Sequence, residues 1–153
     1  MGTSGEGNNA EVVRVWLLNG FRISVGRRVI GEDAWRLRKA KAMVKLLALS
    51  SGHRLHRERV LDLLWPSLGR QAAANNLRQA MHVARRIFDP DPEIGLRYLD
   101  SRGEMLEVCP AGPLWVDVDA FEEAAKAARR SGDPAAYRAA LDLYSGDLLP
   151  ADR

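Results

Sequence analysis

Cysteine is almost absent from this chain of 153 residues, because Cys109 is the sole example. A single cysteine excludes an intrachain disulfide and a cysteine-based zinc site, and it fits a reducing compartment. Long apolar runs are missing too, so no segment is predicted to span a membrane. The opening MGTSGEGNNA lacks the basic and apolar stretches of a secretory signal. We therefore expect a cytoplasmic protein whose residues 1–11 form a disordered tail.

The sequence motifs of catalysis are also absent. The three histidines, His53, His56 and His82, do not have the spacing of metal ligands. There is no GxSxG, no HExxH and no glycine-rich phosphate loop. We therefore predict that the protein is not an enzyme and that it needs neither a cofactor nor a metal.

Charge is distributed unevenly along the chain. The formal net charge is only +3, but residues 27–86 carry 14 Lys/Arg against 4 Asp/Glu. Residues 87–153 carry 7 Lys/Arg against 14 Asp/Glu. A strongly basic block beside an acidic one favours a part that binds a polyanion such as nucleic acid, although two differently solvated surfaces would give the same count.

The first part of the chain has the pattern of a small antiparallel sheet. Val12–Leu18 is rich in β-branched and aromatic residues. Asn19-Gly20 follows as a strong hairpin signal, because both turn positions need positive φ. Alternation over Phe21–Val25 predicts a second strand with one buried face. Arg28–Ile30 is a third candidate strand, and Trp35 is expected on a fourth.

Helical periodicity dominates the rest of the chain. We predict five helices, at 38–50, 57–64, 71–88, 118–131 and 134–145. Pro66 ends the second helix, because a proline disfavours helical geometry in the residue before it. Asp117 and Asp119 are expected to cap the fourth helix.

A hairpin is predicted after the third helix, from strands at 96–99 and 105–108 with Gly103 near the tip. The order of sheet, three helices and hairpin is typical of a winged helix-turn-helix, which is an α+β fold. We place this domain at residues 12–109. Residues 110–153 are expected to form a linker and a short helical segment.

The third helix carries the most informative pattern. One side is apolar, and the opposite side holds amide, imidazole and guanidinium groups. Asn and Gln can pair bidentately with adenine and Arg with guanine in the major groove, which accommodates a helix. No acidic residue occurs in 70–88, whereas surface helices normally mix both signs. We therefore favour a DNA-reading face over a merely solvated one. The predicted base-reading residues are Asn75, Arg78, Gln79, His82 and Arg86.

Four arginines are predicted to contact the DNA backbone: Arg38, Arg70, Arg85 and Arg102. Arg70 lies where the third helix begins, and the free N–H groups of a helix start can hold a phosphate. Arg102 could enter a minor groove or touch a phosphate from the hairpin. An ordinary exposed turn residue is an equally weighted alternative for Arg102.

Three segments resemble the OmpR-type winged helix of the Streptomyces antibiotic regulatory proteins: VVRVWLLNGFRISVGRRVI, RKAKAMVKLLALSSGHRLHRERVLDLLWP and AAANNLRQAMHVARRIF. VDVDAFEEAAKAA followed by ALDLYSGDLLP is similar to the opening of the bacterial transcriptional activator domain of that family. The resemblance extends from about Val12 to Pro150. One departure is Glu104-Met105, which stands where the wing of the family usually has an aromatic residue after glycine.

The resemblance implies a transcriptional activator with the third helix as recognition helix and the hairpin as wing. It implies double-stranded DNA as the partner, bound as direct repeats by head-to-tail homodimers, and a location at the nucleoid. The loop from Trp65 to Gly69 would face the DNA backbone or RNA polymerase. Residues 110–153 would be a linker and the first helix pair of a truncated activator domain, which in the family resembles tetratricopeptide repeats.

An alternative comes from another functional class. The chain could be a regulatory protein-interaction module of a larger signalling protein whose winged helix does not read DNA. The acid-free face at 70–88 discriminates between the two, because a protein-binding surface does not require it.

Overall fold

The computed structural model describes residues 11–110 and 112–144. These residues form an α+β protein, which confirms the predicted class. The strands are β1 (Val13–Trp16), β2 (Arg22–Val25), β3 (Arg28–Ile30), β4 (Arg54–His56), β5 (Leu99–Arg102), β6 (Met105–Val108) and β7 (Leu114–Val116). The helices are α1 (Arg38–Leu49), α2 (Arg57–Leu64), α3 (Arg70–Phe88), α4 (Pro92–Tyr98), α5 (Asp117–Ser131) and α6 (Pro134–Leu143).

The chain divides into two compact units whose borders differ from the predicted domains at 12–109 and 110–153. Among the described residues, one unit lies within 33–113, and the other combines Val12–Glu32 with residues 114–144. The N-terminal sheet therefore belongs with the C-terminal helices, because β7 pairs with β1 across about 100 residues of sequence. The predicted tail lies outside the described residues except for Glu11.

The sheet of the second unit has the strand order β3-β2-β1-β7. The predicted hairpin is confirmed, because β1 pairs antiparallel with β2 and both Asn19 (φ 63°) and Gly20 (φ 118°) have positive φ. The fourth strand is not at Trp35, which follows a short 3₁₀ turn at Glu32–Ala34. The fourth strand of this sheet is β7, which lies at the edge beside β1 and runs parallel to it.

Helix α5 begins immediately after β7, and its first residue holds the β1–β2 connection. Both carboxylate oxygens of the buried Asp117 accept backbone hydrogen bonds, from Leu17 N at 2.9 Å and Leu18 N at 3.0 Å. The prediction that Asp117 caps its own helix is wrong, because both of its acceptor oxygens are used by the β1–β2 connection. Helix α5 ends at Gly132 in the left-handed conformation (φ 67°), and Asp133 caps α6 by accepting from Ala135 N.

The first unit confirms the three long predicted helices. Helix α1 ends at Leu49, α2 ends at Leu64 before Trp65-Pro66, and α3 runs to Phe88. Helix α1 packs against α3 and β6. The buried stripe of α3 recurs every three or four residues, which is the spacing of one helical face: Ala73, Leu77, Ala80, Met81, Ala84 and Phe88.

The segment after α3 differs from its prediction as a strand at 96–99. It forms helix α4, because Asp91 accepts from Glu93 N at 3.0 Å as N-cap and Pro92 supplies a favourable first helical position. The strand begins at Leu99, at the end of α4, and β5 pairs with β6 around a tip at Gly103-Glu104. Strand β4 joins the other side of β6 and completes a three-stranded sheet.

Candidate nucleic-acid interface

The five predicted base-reading residues share one exposed side of α3. Asn75, Gln79, His82 and Arg86 follow each other at intervals of three or four residues, and Arg78 lies beside them. All five side chains are exposed, while the opposite side of α3 is buried against the rest of the first unit. The buried stripe fixes the rotation of the helix, so the sequence itself determines which side faces solvent. The exposed side therefore combines hydrogen-bonding groups with positive charge.

Two neighbours of Asn75 already donate to its side chain. Arg78 Nη1 lies 3.1 Å from Asn75 Oδ1, and Gln71 Nε2 lies 3.5 Å from the same oxygen. All three side chains are exposed, so these contacts compete with water and contribute little to stability. They can be exchanged for contacts with a ligand, and until then they hold the Asn75 amide in one orientation.

Arg85 has a position that the helical pattern did not reveal. Its Nε donates to the Leu99 carbonyl oxygen at 2.9 Å, and its Nη2 lies 3.7 Å from Asp100 Oδ1. The side chain is about a quarter exposed, at 25%. Arg85 therefore ties α3 to β5, so the guanidinium predicted to contact phosphate also aligns the hairpin with the helix.

The remaining predicted backbone contacts lie at three separate places on the first unit. Arg70 begins α3 and is 89% exposed, with its Nη2 4.0 Å from Glu58 Oε1. A pair this exposed contributes little, so Arg70 is available to a phosphate. Arg38 begins α1 and is exposed. Arg102 is exposed at the end of β5, next to the tip at Gly103.

Arg57 is a basic residue near this face that the sequence pattern did not indicate. It begins α2, and its backbone N–H donates to the Glu104 carbonyl oxygen at 2.7 Å. Its side chain borders the same groove as Arg78 and Arg85. No periodicity signal could have found it, because this neighbourhood depends on the packing of α2 against the hairpin.

Within 11–110 and 112–144, no group of three or more His, Cys, Asp and Glu residues is arranged to hold a metal ion. In the same residues, none of the helices combines the length and the apolar character that a membrane crossing requires.

Comparison with known proteins gives no family assignment. No protein-family model matches the chain, and no curated protein matches it. The resemblance to the Streptomyces antibiotic regulatory proteins therefore stays a prediction from the sequence motifs.

Proposed function

We propose that this chain is a sequence-specific, duplex-DNA-binding transcriptional activator. The observation that carries the proposal is the exposed, acid-free side of α3, on which Asn75, Gln79, His82 and Arg86 stand together. Such a surface attracts a polyanion and also carries the groups that distinguish bases. In this proposal α3 enters the major groove, and its buried stripe holds it rigidly on α1.

We further propose that the domain is a winged helix of the OmpR type. The order α1, β4, α2, α3 and the β5–β6 hairpin supports this assignment, as does the packing of α1 against α3. The hairpin would be the wing, with Arg102 at the end of β5 near a minor groove or a phosphate. Arg85 would set the angle between wing and recognition helix through its bond to Leu99.

Transcriptional activation and its partners rest on the proposed family. In the proposed family the loop from Trp65 to Gly69 would face the DNA backbone or RNA polymerase, and here Leu68 is 42% exposed within that loop. Binding of direct repeats as a homodimer, and a nucleoid location, belong to the same proposal.

A titration of duplex binding against salt tests the DNA-binding proposal. We expect log Kd of the chain for a fluorescent 30-base-pair duplex to rise linearly with log salt, because each neutralised phosphate releases counterions. Loss of affinity between about 50 and 200 mM salt should reach several orders of magnitude if roughly six or more phosphates are contacted. Binding that does not depend on salt would refute the phosphate contacts.

A matched pair of asparagine variants tests which side of α3 reads the bases. Asn75 is exposed, whereas the Asn76 side chain is half-buried and donates to the Ala72 carbonyl oxygen at 3.1 Å. We expect Asn75→Ala to relax the preference at one base pair, by about 1–3 kcal/mol. Asn76→Ala should preserve the preference. Equal effects of the two substitutions would contradict the assignment of the reading face.

A second candidate function is favoured by one observation in the other unit. Tyr137 and Leu141 are exposed on α6, and Tyr144, which follows the helix, is exposed as well. This apolar stripe suits a protein-interaction module without DNA readout. A chain that binds no duplex at low salt, with its fold intact by circular dichroism, would favour this candidate.

A further inference from the structure

A groove with a volume of about 160 Å³ separates α3 from the β5–β6 hairpin in the first unit. Apolar side chains of Leu77, Met81 and Leu106 line it, and all three are buried. Arginine side chains from two helices also line it: Arg57 from α2, and Arg78 and Arg85 from α3. Arg78 and Arg85 are seven residues apart, so they lie on the same side of α3.

The groove has an excess of positive charge. Within the described residues, the ion pair made by these three arginines joins Arg85 to Asp100, with Nη2 and Oδ1 3.7 Å apart. Three guanidinium groups and one carboxylate leave a formal charge of +2. Apolar walls beside the charges reduce solvent screening and strengthen their attraction for an anion.

We propose that this groove binds one phosphate group of the duplex-DNA backbone, with Arg57 and Arg78 as the donors. Arg85 is a positioning residue in this site, because its Nε is already bonded to the Leu99 carbonyl oxygen. Guanidinium groups match phosphate oxygens in a bidentate arrangement, which favours this ligand over a spherical anion such as chloride. The inference rests on the proposed function and deepens it, because it names a phosphate contact that joins recognition helix and wing.

This site changes the role expected for Arg78. Its guanidinium lines the groove and also donates to Asn75 Oδ1, so a bound phosphate would fix both side chains. Arg78 then strengthens binding to every sequence alike, whereas Asn75 and Gln79 read bases. Base readout and backbone positioning are thus separated on α3, with the backbone contacts on the flank nearest the hairpin.

The test compares two arginines of the same short helix. Arg57 lines the groove, while Arg59 is exposed, does not line it, and lies on another side of α2. Binding of a 30-base-pair duplex of mixed sequence is measured by fluorescence anisotropy at several salt concentrations. We expect Arg57→Gln to weaken binding on the order of tenfold and to reduce the salt slope by about 0.9, which corresponds to one phosphate. Arg59→Gln should stay within about twofold of the unsubstituted chain.

The outcomes separate the two proposals. An unsubstituted chain that binds no duplex overturns the proposed function and the groove together. If the unsubstituted chain binds and Arg57→Gln retains its affinity and salt slope, the groove proposal alone is overturned. Loss of sequence preference in Arg57→Gln, without a change of slope, would also overturn it, because it would make Arg57 a base-reading residue.

A second measurement guards against misfolding of the variant. The Arg57 backbone N–H bond to Glu104 remains in Arg57→Gln, and circular dichroism should show an unchanged helix content. Duplexes with one neutral methylphosphonate at successive positions are then bound to both proteins. We expect several positions to weaken binding of the unsubstituted chain, and one of these positions to have no further effect on binding of Arg57→Gln. Independent, additive losses at every position would contradict a direct contact between Arg57 and phosphate.

Discussion

Substitution of Asp117 should strongly destabilise the second unit, and Asp117→Ala is the substitution that tests this prediction. The carboxylate is 2% exposed and accepts from two backbone N–H groups that belong to the β1–β2 connection. Leu17 and Leu18 are themselves buried, so water does not readily replace the lost acceptor. The substitution removes two charge-assisted hydrogen bonds, at 2.9 and 3.0 Å.

The expected loss follows from these two bonds. A hydrogen bond to a charged group contributes about 1.5–3 kcal/mol, and an unsatisfied buried N–H costs a similar amount. We therefore expect Asp117→Ala to lower the free energy of unfolding by about 3–5 kcal/mol, a large part of the roughly 5–15 kcal/mol typical of a domain. Asp117→Asn should lower the free energy of unfolding by about half as much. Its amide oxygen still accepts one of the two hydrogen bonds, but its NH₂ group is a donor and cannot accept the other.

Urea denaturation followed by tryptophan fluorescence measures this loss, because Trp16 and Trp115 lie in the same sheet, with ring centroids 5.7 Å apart. Glu122→Gln is the matched control, since Glu122 is exposed on the same helix and its change should stay within about 0.5 kcal/mol. If Asp117→Ala lowers the free energy of unfolding by less than about 1 kcal/mol, the contribution assigned to these two hydrogen bonds is wrong. Such a small loss would mean that the two amides find other partners at little cost.

Three further predictions concern the first unit. Gly95→Ala should destabilise by about 1–3 kcal/mol, because its Cβ would lie 2.9 Å from the Arg85 carbonyl oxygen; a melting curve would show it, and an unchanged Tm would contradict it. Lys39→Met should cost about 1 kcal/mol in urea denaturation, since Lys39 Nζ donates to the Leu64 carbonyl oxygen at the end of α2, and an unchanged midpoint would argue against that bond. Burial raises the pKa of the Cys109 thiol from 9.0 to about 12, so native protein should resist alkylation at pH 8 until urea unfolds it. The stability contributed by this neutral thiol is complete below pH 9 and declines as pH rises toward 12.

Patterns of a few neighbouring residues predicted those elements whose conformation depends mainly on the same residues. The periodicity of α3 identified its buried stripe, with Leu77, Met81 and Ala84 inside as expected. Asn19-Gly20 predicted its turn, because the required positive φ is a property of those two residues themselves. Pro66 correctly predicted the end of α2. In each case the signal and the structure involve the same few residues.

Contacts between distant segments were not predictable in this way. Strand β7 has three residues, too few to show a period, and its partner β1 lies about 100 residues earlier. Asp117 has the sequence signature of a cap, but its hydrogen bonds depend on that same pairing. Helix α4 was not predicted although Asp91 and Pro92 are start signals, because its seven residues are too few to show a clear helical period.

The candidate site shows the same division. The exposed side of α3 followed from the helical period, so Asn75, Gln79, His82 and Arg86 were selected together. The neighbours of Arg85 and Arg57 depend on how the hairpin packs, and no pattern within α3 contains that information. Sequence therefore indicated which side of the helix is exposed, and the structure added which arginines adjoin the hairpin.

Whether α3 reads the base sequence of duplex DNA is tested most sharply by selecting preferred duplexes from a random library. The selection is carried out with the unsubstituted chain and with Gln79→Ala, and the two preferred sequences are compared. Gln79 is exposed on the proposed reading face. We expect a defined preferred sequence for the unsubstituted chain and a relaxed preference at one base pair for Gln79→Ala, equivalent to about 1–3 kcal/mol. Identical preferred sequences from the two proteins, or none from either, would contradict this expectation.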